Sequence, residues 1–149
     1  MPGYGMPRGH KGLLPWTWAE DRLRRSHNYW VMTVRPDGRP HAMPVWGIWV
    51  DARFYFSTGR ESRKARNLAS NSACTICTEK TSEAVIVEGT AAEVSDPARL
   101  KQLAPVYGRK YKPWTLDTGL GPVFEVQPRV VFGMREKTFK DATRWMFDK

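Results

Sequence analysis

Hydroxyl and basic side chains crowd the segment "STGRESRKAR", residues 57–66, where a predicted strand is followed by a predicted helix. The free amides and positive dipole end of a helix N-terminus attract anions, so cations there are unfavourable unless an anion lies among them. Charge-assisted hydrogen bonds of about 1.5–3 kcal/mol each would hold a phosphate. The segment therefore predicts a phosphate site, with a solvated basic helix face as the alternative. Its hydroxyl and basic residues are Ser57, Thr58, Ser62, Arg60, Arg63, Lys64 and Arg66, and the cations are offset only by Glu61.

Other residue types that commonly do chemistry are sparse. Cys74 and Cys77 form a lone C-x-x-C, but "SACTICTE" has the composition of a strand, on which residues three apart point to opposite faces. The histidines His10, His27 and His41 are scattered, and zinc needs closely spaced ligands. We therefore expect no metal. No Ser-His-Asp set or carboxylate pair is found, so no catalytic residue is assigned.

The order of predicted elements favours a mainly β, antiparallel barrel with helices outside it. A helix is expected over residues 17–26, begun by a capping box between Thr17 and Glu20. Strands on either side of "RPDGR" form a hairpin, and further strands follow at hairpin spacing. After the hairpin we expect a strand, the basic helix, two strands, a third helix, two strands around Gln127-Pro128 and an aromatic tail.

Five further residues modify this outline. Pro44 and Gly47 interrupt the second hairpin strand, which marks an edge, a bulge or a close approach to the backbone. Asp96 and Pro97 are typical of the start of the third helix, and Pro105 is expected to end or kink that helix.

The composition is that of one folded domain. The 149 residues contain 24 Lys and Arg against 15 Asp and Glu, a net charge of +9, which favours an anionic partner. No apolar run approaches the ~20 residues of a membrane span, and no secretion signal is evident. We expect an N-terminal arm over 1–15, a single domain over 16–149, no membrane association and a cytoplasmic protein.

Four motifs, taken together, resemble a known family over about residues 16–147. They are "RPDGRPH" followed by "PVW", then "SRKARNL", "IVEGTAAEV" and "TRWMF". Their order is similar to that of the pyridoxamine 5′-phosphate oxidase-like, FMN-binding split-barrel proteins, and most similar to the flavin- and deazaflavin (F420)-dependent oxidoreductases. The resemblance implies a six-stranded antiparallel split β-barrel with flanking helices. It also implies a homodimer with the cofactor at the subunit interface.

The resemblance assigns cofactor-binding residues in three groups. The phosphate site would comprise Ser57, Thr58, Ser62, Arg63, Lys64 and Asn67. The strand behind the tricyclic ring would comprise His41, Met43, Pro44, Val45 and Trp46. Trp145 would approach the cofactor from the C-terminal segment, from the partner subunit, and substrate would be lined by Trp46, Trp114 and Tyr111.

Coenzyme F420 is the favoured cofactor and FMN the second. The segment "HAMPVW" replaces the R-x-V-L-L-K motif of true pyridoxamine phosphate oxidases, whereas R-N-L after the lysine is shared with the deazaflavin branch. Arg109, Lys110 and Lys112 would suit that coenzyme's acidic tail.

The expected function is hydride transfer between this cofactor and a small organic substrate. The alternatives are an FMN-binding pyridoxamine phosphate oxidase-like protein, a carrier without turnover and a haem-binding split barrel. A nucleic-acid-binding module is the least favoured, because it leaves the Ser-Thr-Gly junction unexplained.

Overall fold

The protein is described by a computed structural model that covers residues 13–147. The predicted arm therefore lies outside the described residues except for 13–15. The helices are α1 (Trp16–Arg25), α2 (Arg63–Ser70) and α3 (Pro97–Lys110), with a short 3-10 turn at Phe139–Asp141. The strands are β1 (Tyr29–Val34), β2 (Pro40–Val45), β3 (Ile48–Val50), β4 (Arg53–Ser57), β5 (Ala73–Thr78), β6 (Glu83–Glu93), β7 (Val123–Arg135) and β8 (Thr143–Met146).

The strands form one antiparallel half-barrel sheet, as a split barrel requires. Its order is β2-β1-β5-β6-β7-β4-β3, with β8 paired to β7. The sheet has eight strands and not the expected six. The second hairpin strand is divided at Trp46-Gly47 into β2 and β3, and the aromatic tail pairs with β7 as β8.

The two strands expected around Gln127-Pro128 are one long strand, β7. It pairs with β6 throughout, and a register shift between Glu88 and Gly89 lets the ladder pass Pro128, which has no amide proton to donate. A Cβ on Gly89 would lie 2.2 Å from the carbonyl oxygen of Gln127, so this crossing needs a glycine.

Local signals set the helix ends, with two corrections to the expectations. The α1 N-cap is Pro15 and has no side-chain capping bond; Glu20 accepts instead from Trp49 Nε1 at 2.9 Å. The predicted Thr17–Glu20 capping box is therefore wrong. In α3 the N-cap Asp96 accepts from the Ala98 amide as expected, but Pro105 lies inside the helix and does not end it.

Two hydrophobic clusters hold the sheet and helices together. The larger fills the concave side of the sheet under α1 and α2, and includes Leu23, Tyr29, Val31, Phe54 and Ile76. The smaller joins α3 to β3 and β4 and is built from Ile48, Tyr55, Leu103, Tyr111 and Val123. Over residues 13–147 no helix is long and apolar enough to cross a membrane.

Candidate functional site

The N-terminal turn of α2 lies beside the β1–β2 hairpin. Asn67 of α2 is fully buried, and its Nδ2 donates to Thr33 Oγ1 at 3.0 Å. Thr33 is paired with His41 across the two strands, and residues directly opposite each other point to the same face of a sheet. His41 therefore faces the same side as α2, and the two elements form what we call the β2–α2 corner.

Two of the predicted cations, Arg63 and Lys64, open α2 at this corner. Neither forms an ion pair with a carboxylate anywhere in residues 13–147. Arg60 is different: its guanidinium pairs with Glu93 on β6 at 2.9 Å, so it is directed away from the cluster. Arg66 is exposed on α2. Of the four cations that are close in the sequence, only Arg63 and Lys64 therefore lie at the corner.

His41 shows that a third cation faces the corner. Partial burial, followed by the charges of Arg35, Lys64 and Arg63, lowers the pKa of His41 below its usual value. Burial also lowers the pKa of Lys64. The Nδ1 atom of His41 is shielded from solvent and has no hydrogen-bond partner among the described residues. The three cations disfavour the charged form of His41, and an anion bound among them would oppose that effect.

The hydroxyl groups at the β4–α2 junction are linked to one another. Thr58 Oγ1 lies 3.0 Å from Ser62 Oγ, and Ser62 Oγ also accepts from the Ala65 amide as the N-cap of α2. The two hydroxyl groups carry two protons, and one of these forms the hydrogen bond that joins them. The other proton is left to donate to a ligand. Ser57, the last residue of β4, is half-buried.

The close backbone approach at this junction is made by Gly121 and not by Gly59. A Cβ on Gly121 would lie 2.0 Å from the carbonyl oxygen of Thr58, whereas a Cβ on Gly59 would meet nothing within 4 Å. Gly59 therefore has room for a side chain, whereas Gly121 does not.

The predicted ring-binding strand presents its residues to two different faces. Register places His41, Met43 and Val45 on the α2 side of β2, and Pro44 opposite Trp30 on the other side. Met43 is 44% exposed, whereas Val45 is buried in the core. Within one chain the surface beside the basic cluster is therefore formed by His41 and Met43.

The two tryptophans assigned to the cofactor are held by aromatic residues of their own chain. Trp46 stacks on Tyr111 with ring centroids 4.5 Å apart, and its Nε1 donates to Asn28. Trp145 on β8 packs edge-on against Trp16 at 5.3 Å. β8 pairs with β7, and β5 and β6 separate β7 from β1, so one chain does not bring Trp145 to the corner. Its approach from a partner subunit stays a prediction.

The residues expected to line the substrate or hold an acidic tail also differ in exposure. Trp114 is 62% exposed, but Tyr111 is 2% exposed and belongs to the core beneath α3. Arg109 and Lys112 are exposed, whereas Lys110 is half-buried and hydrogen-bonded to Tyr29 Oη and Gly47 O. The Lys110 amine is therefore not available to bind the acidic tail of a cofactor at the surface.

Sequence reasoning missed two residues of the corner, Arg35 and Thr33. Arg35 opens the "RPDGR" turn, where Gly38 with φ 87° donates its amide to the Arg35 carbonyl. Nothing in the turn sequence itself indicates on which face its first residue lies. The available signal is position: Arg35 lies two residues after Thr33, the residue paired with His41, and residues two apart on a strand point to the same face.

The fold is that of a known family. The sequence model of the family described as pyridoxamine 5′-phosphate oxidase matches residues 18–136. The match covers well over half of the chain, so the chain belongs to the pyridoxamine 5′-phosphate oxidase family. None of the curated proteins compared with the chain matches it.

Three solved structures illustrate the range of this fold. A conserved hypothetical protein from Mycobacterium tuberculosis is 19% identical over 88% of this chain and 91% of its own, with a TM-score of 0.74. A structure named F420 reductase is 25% identical over 75% of this chain and 94% of its own, with a TM-score of 0.61. A haem-binding protein from Mycobacterium smegmatis is 14% identical over 90% of this chain and 59% of its own, with a TM-score of 0.71.

Proposed function

We propose that the protein is an oxidoreductase that binds a phosphate-bearing tricyclic cofactor, coenzyme F420 or FMN, at the β2–α2 corner. The observation that carries this proposal is the group of three cations, Arg35, Arg63 and Lys64, around the unpartnered Nδ1 of His41. Cations without carboxylate partners repel one another, and a bound phosphate relieves that repulsion. The residues present therefore fit the phosphate of such a cofactor.

Each residue of the corner has a binding or positioning role. Arg63 and Lys64 neutralise the phosphate, and the Thr58–Ser62 hydroxyl pair donates its free proton. Asn67, which reaches Thr33 and not solvent, fixes α2 against the hairpin. The exposed side of β2 at Met43 receives the flat ring.

When bound, the cofactor supplies the hydride chemistry, and the chain binds and orients it. No acid or base is assigned in this chain, because the neutral His41 lies among the cations of the corner. The reaction is hydride transfer to or from a small organic substrate that stacks on the open face of the ring.

Coenzyme F420 is favoured over FMN for two reasons. The structure named F420 reductase is similar over three quarters of the chain. The chain also carries exposed cations, Arg109 and Lys112, on and after α3, which suit an acidic tail. FMN shares the need for a phosphate site, so the corner itself accepts either.

A second copy of the chain completes the site in this proposal. The convex face of the sheet carries two rows of side chains across β2, β1, β5, β6, β7 and β8, on the side opposite the buried core residues Tyr29 and Val31. Trp30 on this face is 47% exposed. The rows are Pro44, Trp30, Cys77, Ile86, Phe132 and Arg144, and Ala42, Met32, Thr75, Glu88, Val130 and Met146.

A mostly apolar sheet face of this extent is typical of a protein interface. We expect a dimer by sedimentation velocity and a shift to monomer in Trp30→Lys. The matched control is Trp114→Lys, at an exposed tryptophan outside the sheet, which should stay dimeric. A wild-type monomer at all concentrations would contradict this part of the proposal.

The phosphate assignment is tested by comparing FMN with riboflavin, which has the same ring and lacks the phosphate. The wild-type protein should bind FMN at least about 100-fold more tightly, since two charge-assisted hydrogen bonds contribute about 3–6 kcal/mol. In Arg63→Ala/Lys64→Ala this preference should disappear while riboflavin affinity is kept. Arg66→Ala, an exposed cation of the same helix, is the control and should keep the preference.

Circular dichroism of the double variant checks that the fold survives. Retention of the full FMN preference in a folded double variant would show that the phosphate binds elsewhere.

A further inference from the structure

A second basic cleft lies outside the β2–α2 corner, between α1, β3 and α3. Its volume is about 300 Å³. The residues that line it are Arg24, Ile48, Trp49, Val106, Arg109 and Lys110. Three of these six side chains are cationic and the other three are apolar. The proposed function uses Arg109 of this cleft for an acidic tail and does not use Lys110.

The hydrogen bonds of Lys110 account for two amine protons. Tyr29 Oη donates its own proton to the Leu23 carbonyl, so it can only accept from Lys110 Nζ at 2.7 Å. The Gly47 carbonyl, 2.9 Å from Nζ, can likewise only accept. An uncharged amine satisfies both partners with its two protons and keeps its lone pair free. An ammonium would carry a third proton that has no acceptor among the described residues.

Burial of Lys110 acts in the same direction as these hydrogen bonds. It lowers the pKa of Lys110 to about 8, opposed by the charge of Glu79. Arg109 and Arg24 line the same cleft, and of these two only Arg24 has a carboxylate partner in residues 13–147, Glu20 at 3.5 Å.

The ring centroids of Tyr29 and Tyr111 lie 4.7 and 5.2 Å from Lys110 Nζ, and such contacts favour the charged form of the amine. The effect of burial is larger, so the pKa of Lys110 is lowered. About a tenth of Lys110 is therefore uncharged at pH 7, whereas an ordinary lysine, with a pKa near 10.4, is almost fully charged.

We propose that Lys110 is a nucleophilic lysine that captures small carbonyl compounds bearing a carboxylate, by forming an imine in this cleft. The amine nitrogen attacks the carbonyl carbon, a C–N bond forms, and the carbonyl oxygen leaves as water with the two amine protons. No oxidant or reductant is consumed. Arg109 and Arg24 hold the carboxylate, and Ile48, Trp49 and Val106 contact the carbon skeleton.

Glyoxylate is the probe, because it is the smallest aldehyde that carries a carboxylate. Sodium cyanoborohydride reduces the imine to a stable secondary amine, which peptide mass spectrometry locates. At neutral pH and brief exposure, Lys110 should be labelled about tenfold or more faster than the exposed Lys101 and Lys112, because more of it is uncharged. Labelling of Lys110 should level off above about pH 8, whereas labelling of the exposed lysines should continue to rise.

Two comparisons separate recognition from simple reactivity. Arg109→Gln should slow the labelling of Lys110 by glyoxylate but not by propionaldehyde, which has no carboxylate. Lys64 is the internal reference, because burial lowers its pKa as well. The rate at which glyoxylate labels Lys64 should not change in Arg109→Gln.

The proposal is overturned if glyoxylate labels Lys110 no faster than it labels Lys101. It is also overturned if Arg109→Gln slows the labelling of Lys110 by propionaldehyde as strongly as its labelling by glyoxylate. Neither result bears on cofactor binding at the β2–α2 corner.

Discussion

At the scale of single residues, the corner depends on side chains that do not touch solvent. Asn67 has the spacing of a phosphate ligand in the sequence, yet it is 0% exposed and donates to Thr33. Its Oδ1 has no partner in residues 13–147. We therefore predict that its effect on a bound phosphate is indirect, through the position of α2 and the cations Arg63 and Lys64.

The role of Asn67 can be separated from direct binding. Asn67→Ala should lower the free energy of unfolding by about 1–3 kcal/mol, because it removes a buried hydrogen bond and leaves Thr33 without its donor. Urea denaturation measures this change. Thr33→Val, which removes the acceptor and keeps the shape, should have a similar effect.

Arg66→Ala, on the exposed side of α2, serves as the control and should change stability little. An Asn67→Ala protein with wild-type stability and lost FMN affinity would show that Asn67 contacts the ligand directly.

Sequence reasoning identified the residue types of the corner but not their partners. Ser62, Arg63 and Lys64 follow from local signals, because an N-cap and the first turn of a helix are defined by a few neighbouring residues. The pairing of Arg60 with Glu93 and the approach of Arg35 join segments far apart in the chain. Such contacts depend on strand register, which a single sequence does not determine.

At the scale of elements, the break between β2 and β3 is decisive for the shape of the site. Gly47 lies at this break, and a Cβ there would be 2.2 Å from Phe54 Cζ and 2.9 Å from the Tyr55 carbonyl oxygen. Its amide donates to Tyr111 Oη at 2.9 Å. The close approach expected at Gly47 is therefore made by the protein's own core.

Gly47→Ala should destabilise the protein by about 1–3 kcal/mol, because the ring of Phe54 and the β4 backbone must both move. Thermal unfolding followed by circular dichroism measures the change. Gly59→Ala is the matched control, since a Cβ there meets nothing within 4 Å and should be tolerated. Equal stability of the Gly47→Ala protein and the wild type would contradict the packing described for this break.

Most elements were predictable, and the exceptions share one cause. The hairpin around "RPDGR", helix α2 and the start of α3 follow from turn and capping residues. The Thr17–Glu20 capping box failed because Glu20 bonds to Trp49 on another element. The strand break expected at Gln127-Pro128 does not occur, because a shift in the register between β6 and β7 accommodates the proline. In both cases a tertiary contact outweighed a correct local signal.

At the scale of the whole molecule, charge and apolar surface are separated. The cations of the corner lie on the α2 side of β2, and the uncovered apolar rows lie on the opposite, convex face of the sheet. Because β2 is at the edge of the sheet, we predict that the basic corner lies at the border of a dimer interface formed through the convex face. The family resemblance in the sequence implies a homodimer with the cofactor at the subunit interface, and this stays a prediction.

The central claim is that the β2–α2 corner binds the phosphate of a flavin or deazaflavin. The most direct measurement is an equilibrium titration of the purified protein with FMN and, separately, with coenzyme F420, followed by fluorescence. The account predicts saturable binding of at least one of them, one per chain, weakened by raised salt as expected for a charged site. Binding of neither cofactor would contradict the account.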